Sequence, residues 1–421
     1  MYRSFLPAPR LLFAACAGLL GACARPQLGD LSSGGATTSE PCALSTGEVT
    51  AHAPVITIGL TDAVDPRHAP KPRTDGERLV FRHLYETPVQ FDCEGHAQPE
   101  LAEKWVRDDN GRRWTFRLRD DAQFWDGAPV TARDIVFGRS GVGYTLGALE
   151  AKIVTMSLAK PKDDVPALLG DAGLAVTKPA PDSSWPIGTG RYWVTSATAT
   201  AQEIRAHTRG GDTLVFRFAA SGDARDLLDA GVDLLVTRDR ALRDYAATLK
   251  NFTVVALPWD RTYVFVTPEA GGTRYDGLEQ AVRAEARRPE GGFWWLDLRP
   301  CGMGGTGGTS PTASAGQRRI LYSRADATAR ELAGRLAALT RSVATPRGPD
   351  DLGDAVGSGR DFGYVVALPR VAHDPCRVAQ ELLPSWPATI TALVDTRPTA
   401  IIRRGVARWA VDQDGTIHLA P

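Results

Sequence analysis

The chain has 421 residues and sets 49 Lys+Arg against 49 Asp+Glu, a formal net charge of +0. With no global field to attract a polyanion, nucleic acid and anionic surfaces are excluded as partners chosen by charge, and a small neutral partner fits better. The length exceeds what one ordinary core fills, so two or three domains are expected.

The N-terminus carries Arg3 and Arg10, then the apolar run Leu11 to Leu20, then Leu20-Gly21-Ala22-Cys23. That is the order of a signal peptide, here residues 1–22. The apolar run is too short for the roughly 20 residues that a membrane helix needs. A Cys after Leu and two small residues resembles a bacterial lipobox, in which the Cys23 thiol is diacylated and becomes the new N-terminus; plain secretory cleavage ahead of a Cys is the alternative. Residues 23–53, rich in Ser, Gly, Thr and Pro, read as a flexible tether. The expectation is an exported cell-envelope protein held to a membrane by lipid alone. Of 6 Cys, Cys16 leaves with the signal and Cys23 goes to lipid. Cys42, Cys93, Cys301 and Cys376 remain as disulfide candidates in an oxidising compartment, with Cys42–Cys93 and Cys301–Cys376 the favoured pairing. No C-x-x-C pair supports a zinc ribbon or a thioredoxin-like motif.

In chain order, Pro54 to Leu60 is a buried strand by composition, ending at Thr61-Asp62. Glu77 to Tyr85 is a helix with Leu79, Val80 and Leu84 on one face, stopped by Pro88. Phe91 to His96 carries a turn. Pro99 to Trp105 reads as a short helix, and Asp108-Asp109-Asn110-Gly111 as a tight turn joining strands at Trp105-Val106 and Trp114 to Leu118. Thr131 can cap a helix whose inward face is Ile135 and Val136. After Trp294-Trp295, the Gly-rich stretch Gly302 to Pro311 lacks the Lys-Ser/Thr of a phosphate loop and reads as a linker. Arg319 to Tyr322 is a strand, and Ala327 to Leu339 an amphipathic helix with Leu332, Leu336 and Leu339 inward.

Three series of these residues resemble the family 5 extracellular solute-binding proteins, the peptide/nickel class. One runs from Leu84-Tyr85-Glu86 through Pro99 to Trp105, Trp114 to Arg119 and Phe124-Trp125-Asp126-Gly127 to Thr131 to Val136. Another is Pro186 to Tyr192, with Arg191 in place of the family's Pro, and the last is Asp226 to Leu234. Thr262 to Val266 is similar to the strand that leaves the first lobe. The likeness covers about residues 54 to 268; Arg319 to Leu339 and Asp361 to Pro375 resemble parts of the second lobe.

The resemblance implies an α/β, two-lobed periplasmic-binding-protein fold, class II-like, with an extra small subdomain in the first lobe. The first lobe is expected over 54–268, with the subdomain at about 80–181. A shortened second lobe spans 271–399, and a C-terminal segment, 400–421, returns to the first. The implied function is the substrate-binding component of an ABC importer, with a peptide or similar small solute as ligand and a membrane permease as partner. Asp62, Tyr144, Tyr263, Arg370, His373 and Asp374 are the ligand-binding candidates. In peptide binders of the family a carboxylate four residues before a Pro pairs with the peptide ammonium; counting back from Pro375 gives Val371. The alternative function, suggested by the short second lobe, is a degenerate scaffold acting as a lipid-anchored interaction or sensor protein without transport.

Enzymatic chemistry is not expected. No G-x-S-x-G elbow, H-E-x-x-H or S-x-x-K block with partners is present. The 7 His are scattered and read as solvated, without the spacing of a metal site. Glu86, Glu100 and Glu103 read as solvated rather than as an acid–base pair. Trp125 reads as a plug for a sheet edge rather than a carbohydrate platform. Neither metal nor cofactor is expected.

Overall fold

Apolar, β-branched runs broken by Gly and Asp turns make a strand-rich chain. The computed structural model describes residues 42–44, 49, 53–108, 110–136, 144–161, 165–181, 184–219, 222–268, 294–295, 301–303, 318–358, 361–370, 376, 379 and 388–420. The expected signal peptide, Cys23 and nearly all of the tether lie outside them, as do His373, Asp374 and Val371.

The strands in chain order are β1 (Ala43–Leu44), β2 (Val55–Leu60), β3 (Val89–Phe91), β4 (Ala97–Pro99), β5 (Ala102–Arg107), β6 (Arg113–Leu118), β7 (Tyr144–Glu150) and β8 (Ile153–Leu158). They continue as β9 (Thr177–Lys178), β10 (Ile187–Gly188), β11 (Glu203–His207), β12 (Thr213–Phe218), β13 (Leu234–Thr237), β14 (Phe252–Ala256), β15 (Arg261–Pro268) and β16 (Trp294–Trp295). The last are β17 (Cys301–Met303), β18 (Arg319–Ser323), β19 (Val343–Arg347), β20 (Gly363–Pro369), β21 (Ala388–Thr396), β22 (Thr399–Arg403), β23 (Trp409–Val411) and β24 (Ile417–Leu419). Helices are α1 (Asp75–Leu84), α2 (Ala132–Val136), α3 (Pro166–Leu169), α4 (Arg225–Asp229), α5 (Arg240–Ala246), α6 (Ala327–Thr340) and α7 (Pro349–Ser358).

The first lobe is built on a six-stranded sheet of order β11-β12-β2-β13-β22-β14, in which β12, β2 and β13 run parallel. Central β2 is apolar because both its faces are covered. Ile58 and Leu60 join Leu79, Val80, Phe81 and Leu84 of α1 in one buried cluster, and Leu227, Leu228, Leu235 and Leu242 form another. Burying a Leu or Ile side chain contributes about 1.5–3 kcal/mol, so these clusters outweigh any single polar contact in holding the lobe. Thr74 caps α1, its hydroxyl accepting from the Glu77 N–H at 3.1 Å.

A four-stranded antiparallel sheet, β5-β6-β8-β7, lies within the stretch expected to be a small subdomain and carries its own core of Trp114, Phe116, Met156, Ile135 and Leu118. The expected helix over Pro99 to Trp105 is instead β4 and the start of β5. Trp105 pairs with Phe116 across a hairpin closed at Asp108 to Gly111, where Gly111 takes φ +63. Cross-strand pairing outweighs the weak helical preference of so short a segment.

The second lobe has the sheet β16-β21-β15-β20-β18-β19, with β17 also on β21. The expected first-lobe boundary at 268 is corrected by β15, whose residues Arg261 to Val266 pair with both β20 and β21. The lobes meet at Leu257 to Asp260 and at Arg397-Pro398, and the chain returns to the first sheet through β22. In α6, Leu332 and Leu336 are buried against this sheet, whereas Leu339 is 46% exposed. Thr340 takes the inward place in the last turn, its hydroxyl donating to the Leu336 carbonyl at 2.7 Å. No helix among the described residues is long and apolar enough to cross a membrane.

Candidate functional site

In an open α/β sheet, ligands meet the carboxyl ends of strands where neighbouring connections diverge. Central β2 has β12 on one side and β13 on the other, and its carboxyl end leads to Asp62. One oxygen of Asp62 accepts the Gly76 N–H at 3.2 Å, at the start of α1. The approach is close at Gly76, where a Cβ would stand 3.2 Å from the Asp62 Cβ. Burial, with Asp75 alongside, pushes the Asp62 carboxyl up to about 6.

Arg238 follows β13, and its guanidinium donates to Asp75 at 2.8 Å, to Asp260 on one segment joining the lobes, and to Thr396 at the end of β21. Arg261, first residue of β15, pairs with Asp75 and lies 3.8 Å from Asp326, the cap of α6. Burial alone would raise the Asp75 carboxyl, but the two guanidiniums outweigh it and hold it well below the usual carboxylate range. The Tyr263 hydroxyl donates to Asp326 at 2.8 Å. Arg370 donates to Asp395 at 2.8 Å, Thr262 donates to the same carboxylate at 2.7 Å, and the Arg370 N–H reaches the Asp260 carbonyl at 2.9 Å.

Asp62, Tyr263 and Arg370, three of the residues picked out from the sequence, thus belong to one charged cluster between the lobes. Tyr263 is fully buried there, with its hydroxyl satisfied by Asp326. Tyr144 stands elsewhere, at the start of β7 on the edge of the subdomain sheet, packed on that sheet's core. The cluster also contains Asp75, Arg238, Asp260, Arg261, Asp326 and Asp395, which sequence reasoning missed. Their common signal is a charged residue at the end of an apolar strand or the start of a helix. Among the described residues, no group of three or more His, Cys, Asp or Glu is placed to hold a metal ion.

Several polar residues read as solvated are buried instead. His83 is 6% exposed and edge-on to Tyr192 and Phe216, with burial lowering its imidazole to about 3. Arg82 donates at 2.7 Å to both Glu100 and Asp412. Glu86 accepts from Arg119 at 3.0 Å, and burial raises its carboxyl to about 7. Trp125 stacks on Trp193 with ring centroids 5.3 Å apart, beside a shallow surface dip lined by Tyr85, Trp185 and Tyr192. Cys42 and Cys93 form a disulfide that ties the segment before β2 to the β3–β4 turn; Cys376 is also disulfide-bonded.

Residues 96–205 match the model of the bacterial extracellular solute-binding proteins, family 5 Middle. The periplasmic oligopeptide-binding protein OppA of Salmonella typhimurium is 48% identical over 61 residues, 14% of this chain and only 11% of that relative's length. Among solved structures, the dipeptide binding protein from Pseudoalteromonas sp. SM9913 in complex with Met-Leu superposes with a TM-score of 0.63 at 12% identity, covering 86% of this chain and 98% of the other. NikA from Brucella suis in complex with Fe(III)-EDTA gives 0.61 at 14% identity, covering 83% and 95%. The solved neighbours show the two-lobed fold, and residues 96–205 are similar to the family 5 bacterial extracellular solute-binding proteins.

Proposed function

We propose that this chain captures a peptide or similar small solute between its lobes and delivers it to the permease of an ABC importer, without catalysis. One observation carries the reading. The carboxyl ends of β2 and β13 and the start of α1 confront the start of β15 and the cap of α6, across two crossing segments that can act as a hinge. A ligand bridging the lobes stabilises closure by the contacts it makes only in the closed state. The names of the relatives support a peptide-sized solute. We further propose that Cys23 carries a lipid anchor on an exported protein, and that Cys376 pairs with Cys301.

Because Val371 stands where peptide-binding relatives place a carboxylate, apolar and hydrogen-bonding groups carry the affinity. Calorimetry with free and N-acetylated di- to pentapeptides tests this. Acetylation should change binding by much less than the roughly 2–5 kcal/mol expected for losing one partner of a buried charge pair. Tight binding that vanishes on acetylation would overturn the recognition scheme and make Asp374 the first residue to mutate. A second reading, the degenerate scaffold without transport, is favoured by one observation: the chain's own ion pairs already cross between the lobes. It prevails if no small solute raises the melting temperature, where a ligand at 100 times its Kd adds about 2.7 kcal/mol.

A further inference from the structure

Two-lobed binding proteins need something to hold the lobes together, and a bridging ligand is the ordinary agent. In this chain charged side chains stand in the same place. Asp75 belongs to α1 of the first lobe, and Arg261 opens β15 in the sheet of the second. The Arg261 side chain is only 19% exposed and that of Asp326 only 14%, in contrast to surface pairs such as Arg67–Asp65, where the Arg is 81% exposed. Exposed pairs contribute little, whereas pairs withdrawn from water are screened much less.

The rest of the cluster fixes the partners. Asp326 accepts the Ala329 N–H at 2.9 Å and the Tyr263 hydroxyl, so it is anchored within the second lobe. Arg238, 11% exposed, joins the Asp75 carboxylate to Asp260 on one crossing segment and to Thr396, the last residue of β21 before the other. Arg261 of the second lobe is thus paired with Asp75 of the first, and Arg238 binds Asp260 of the crossing segment next to it.

We propose that Arg261 is an internal latch: its ion pair with Asp75, set against a hinge pinned by Arg238, holds the lobes closed in the absence of any ligand. The inference rests on the two-lobed fold and not on the transport reading.

The test uses the ligand-free mature protein with nitroxide labels at Ala247→Cys, just beyond α5 in the first lobe, and Ala338→Cys in α6 of the second; both positions are exposed. Pulsed dipolar spectroscopy should give one narrow distance distribution. Arg261→Gln and Asp75→Asn should each shift it to longer distance and broaden it. The double variant should move no further than Asp75→Asn alone, because that substitution already removes the Arg261 pair together with the Arg238 contact. Arg205→Gln, whose 2.6 Å partner Glu203 lies on the same strand, should leave it unchanged. A broad distribution in the parent, no shift in either single variant, additive shifts, or a shift with Arg205→Gln would each overturn the latch. A protein that binds peptides yet shows no latch sinks this inference alone, and a latched protein that binds no solute sinks the transport reading alone.

Discussion

Replacing Asp62 with Asn should stabilise the protein at neutral pH and leave it unaided in acid. The carboxyl rises from 3.8 to about 6 on folding because of burial, with the negative Asp75 beside it, while the Gly76 N–H and Arg261 only partly offset these effects. At about 1.4 kcal/mol for each tenfold change in proton affinity, ionised Asp62 costs the fold about 3 kcal/mol at pH 7. The sign follows from proton binding. Between pH 3.8 and about 6 the folded chain keeps a proton that the unfolded chain has released, so this residue's contribution to stability falls as pH rises through that window. Asn keeps an oxygen for the Gly76 N–H and carries no charge. Urea unfolding followed by tryptophan fluorescence, run on both proteins from pH 4 to pH 7, reads the difference. The variant should gain up to about 3 kcal/mol relative to the parent across that range, a shift of about 1 M or more in the urea midpoint for a slope of about 1–3 kcal/mol/M. A difference that stays constant from pH 4 to pH 7 would refute the claim that Asp62 is ionised at a desolvated position.

Arg82→Met should cost about 3–5 kcal/mol, because it leaves Glu100 and Asp412, with side chains 7% and 12% exposed, as buried charges without their guanidinium. A urea-derived loss below about 1 kcal/mol would show that the triad is solvated after all. Leu332→Ala should lose about 2–5 kcal/mol and Leu339→Ala no more than about 0.5, since only the first is packed under α6; equal losses in melting experiments would contradict that placement. Cys23→Ser should abolish metabolic lipid labelling and release the protein from membranes, and a variant that fractionates with membranes as before would end the anchoring proposal.

What the sequence conveyed depended on how local the cause was. β2, α1 and α2 were legible because each is specified by neighbours within a few residues: a β-branched run, the spacing of Leu79, Val80 and Leu84, and Thr131, which bonds Asp134 at 2.7 Å. The strand at Trp105-Val106 and its turn to Trp114 to Leu118 were legible, but the residues before it, Pro99 to Lys104, run from the end of β4 into β5 rather than forming the expected helix, because a segment that short has too little propensity of its own to decide. Leu339 satisfies helical spacing yet is exposed, because periodicity does not say where a helix stops touching its sheet. The burial of Glu100 and His83 was invisible for the same reason. Glu100 is enclosed by Arg82 and Thr87, and His83 by Tyr192 and Phe216, the last of these 133 residues further along the chain.

The charged cluster between the lobes belongs to this non-local class, and its composition argues that it is there for something other than stability. The apolar clusters of both lobes contain none of its charged side chains. Arg238, Arg261 and Asp75 satisfy one another, which offsets their loss of water, but Asp62 has no guanidinium of its own and sits beside another carboxylate. A fold selected for stability alone would place a neutral residue at that position, as the Asn substitution is expected to reveal. The strain falls at the carboxyl end of the central parallel strand, beside the two crossing segments, where a displacement of one lobe against the other changes the surroundings of every charge in the set.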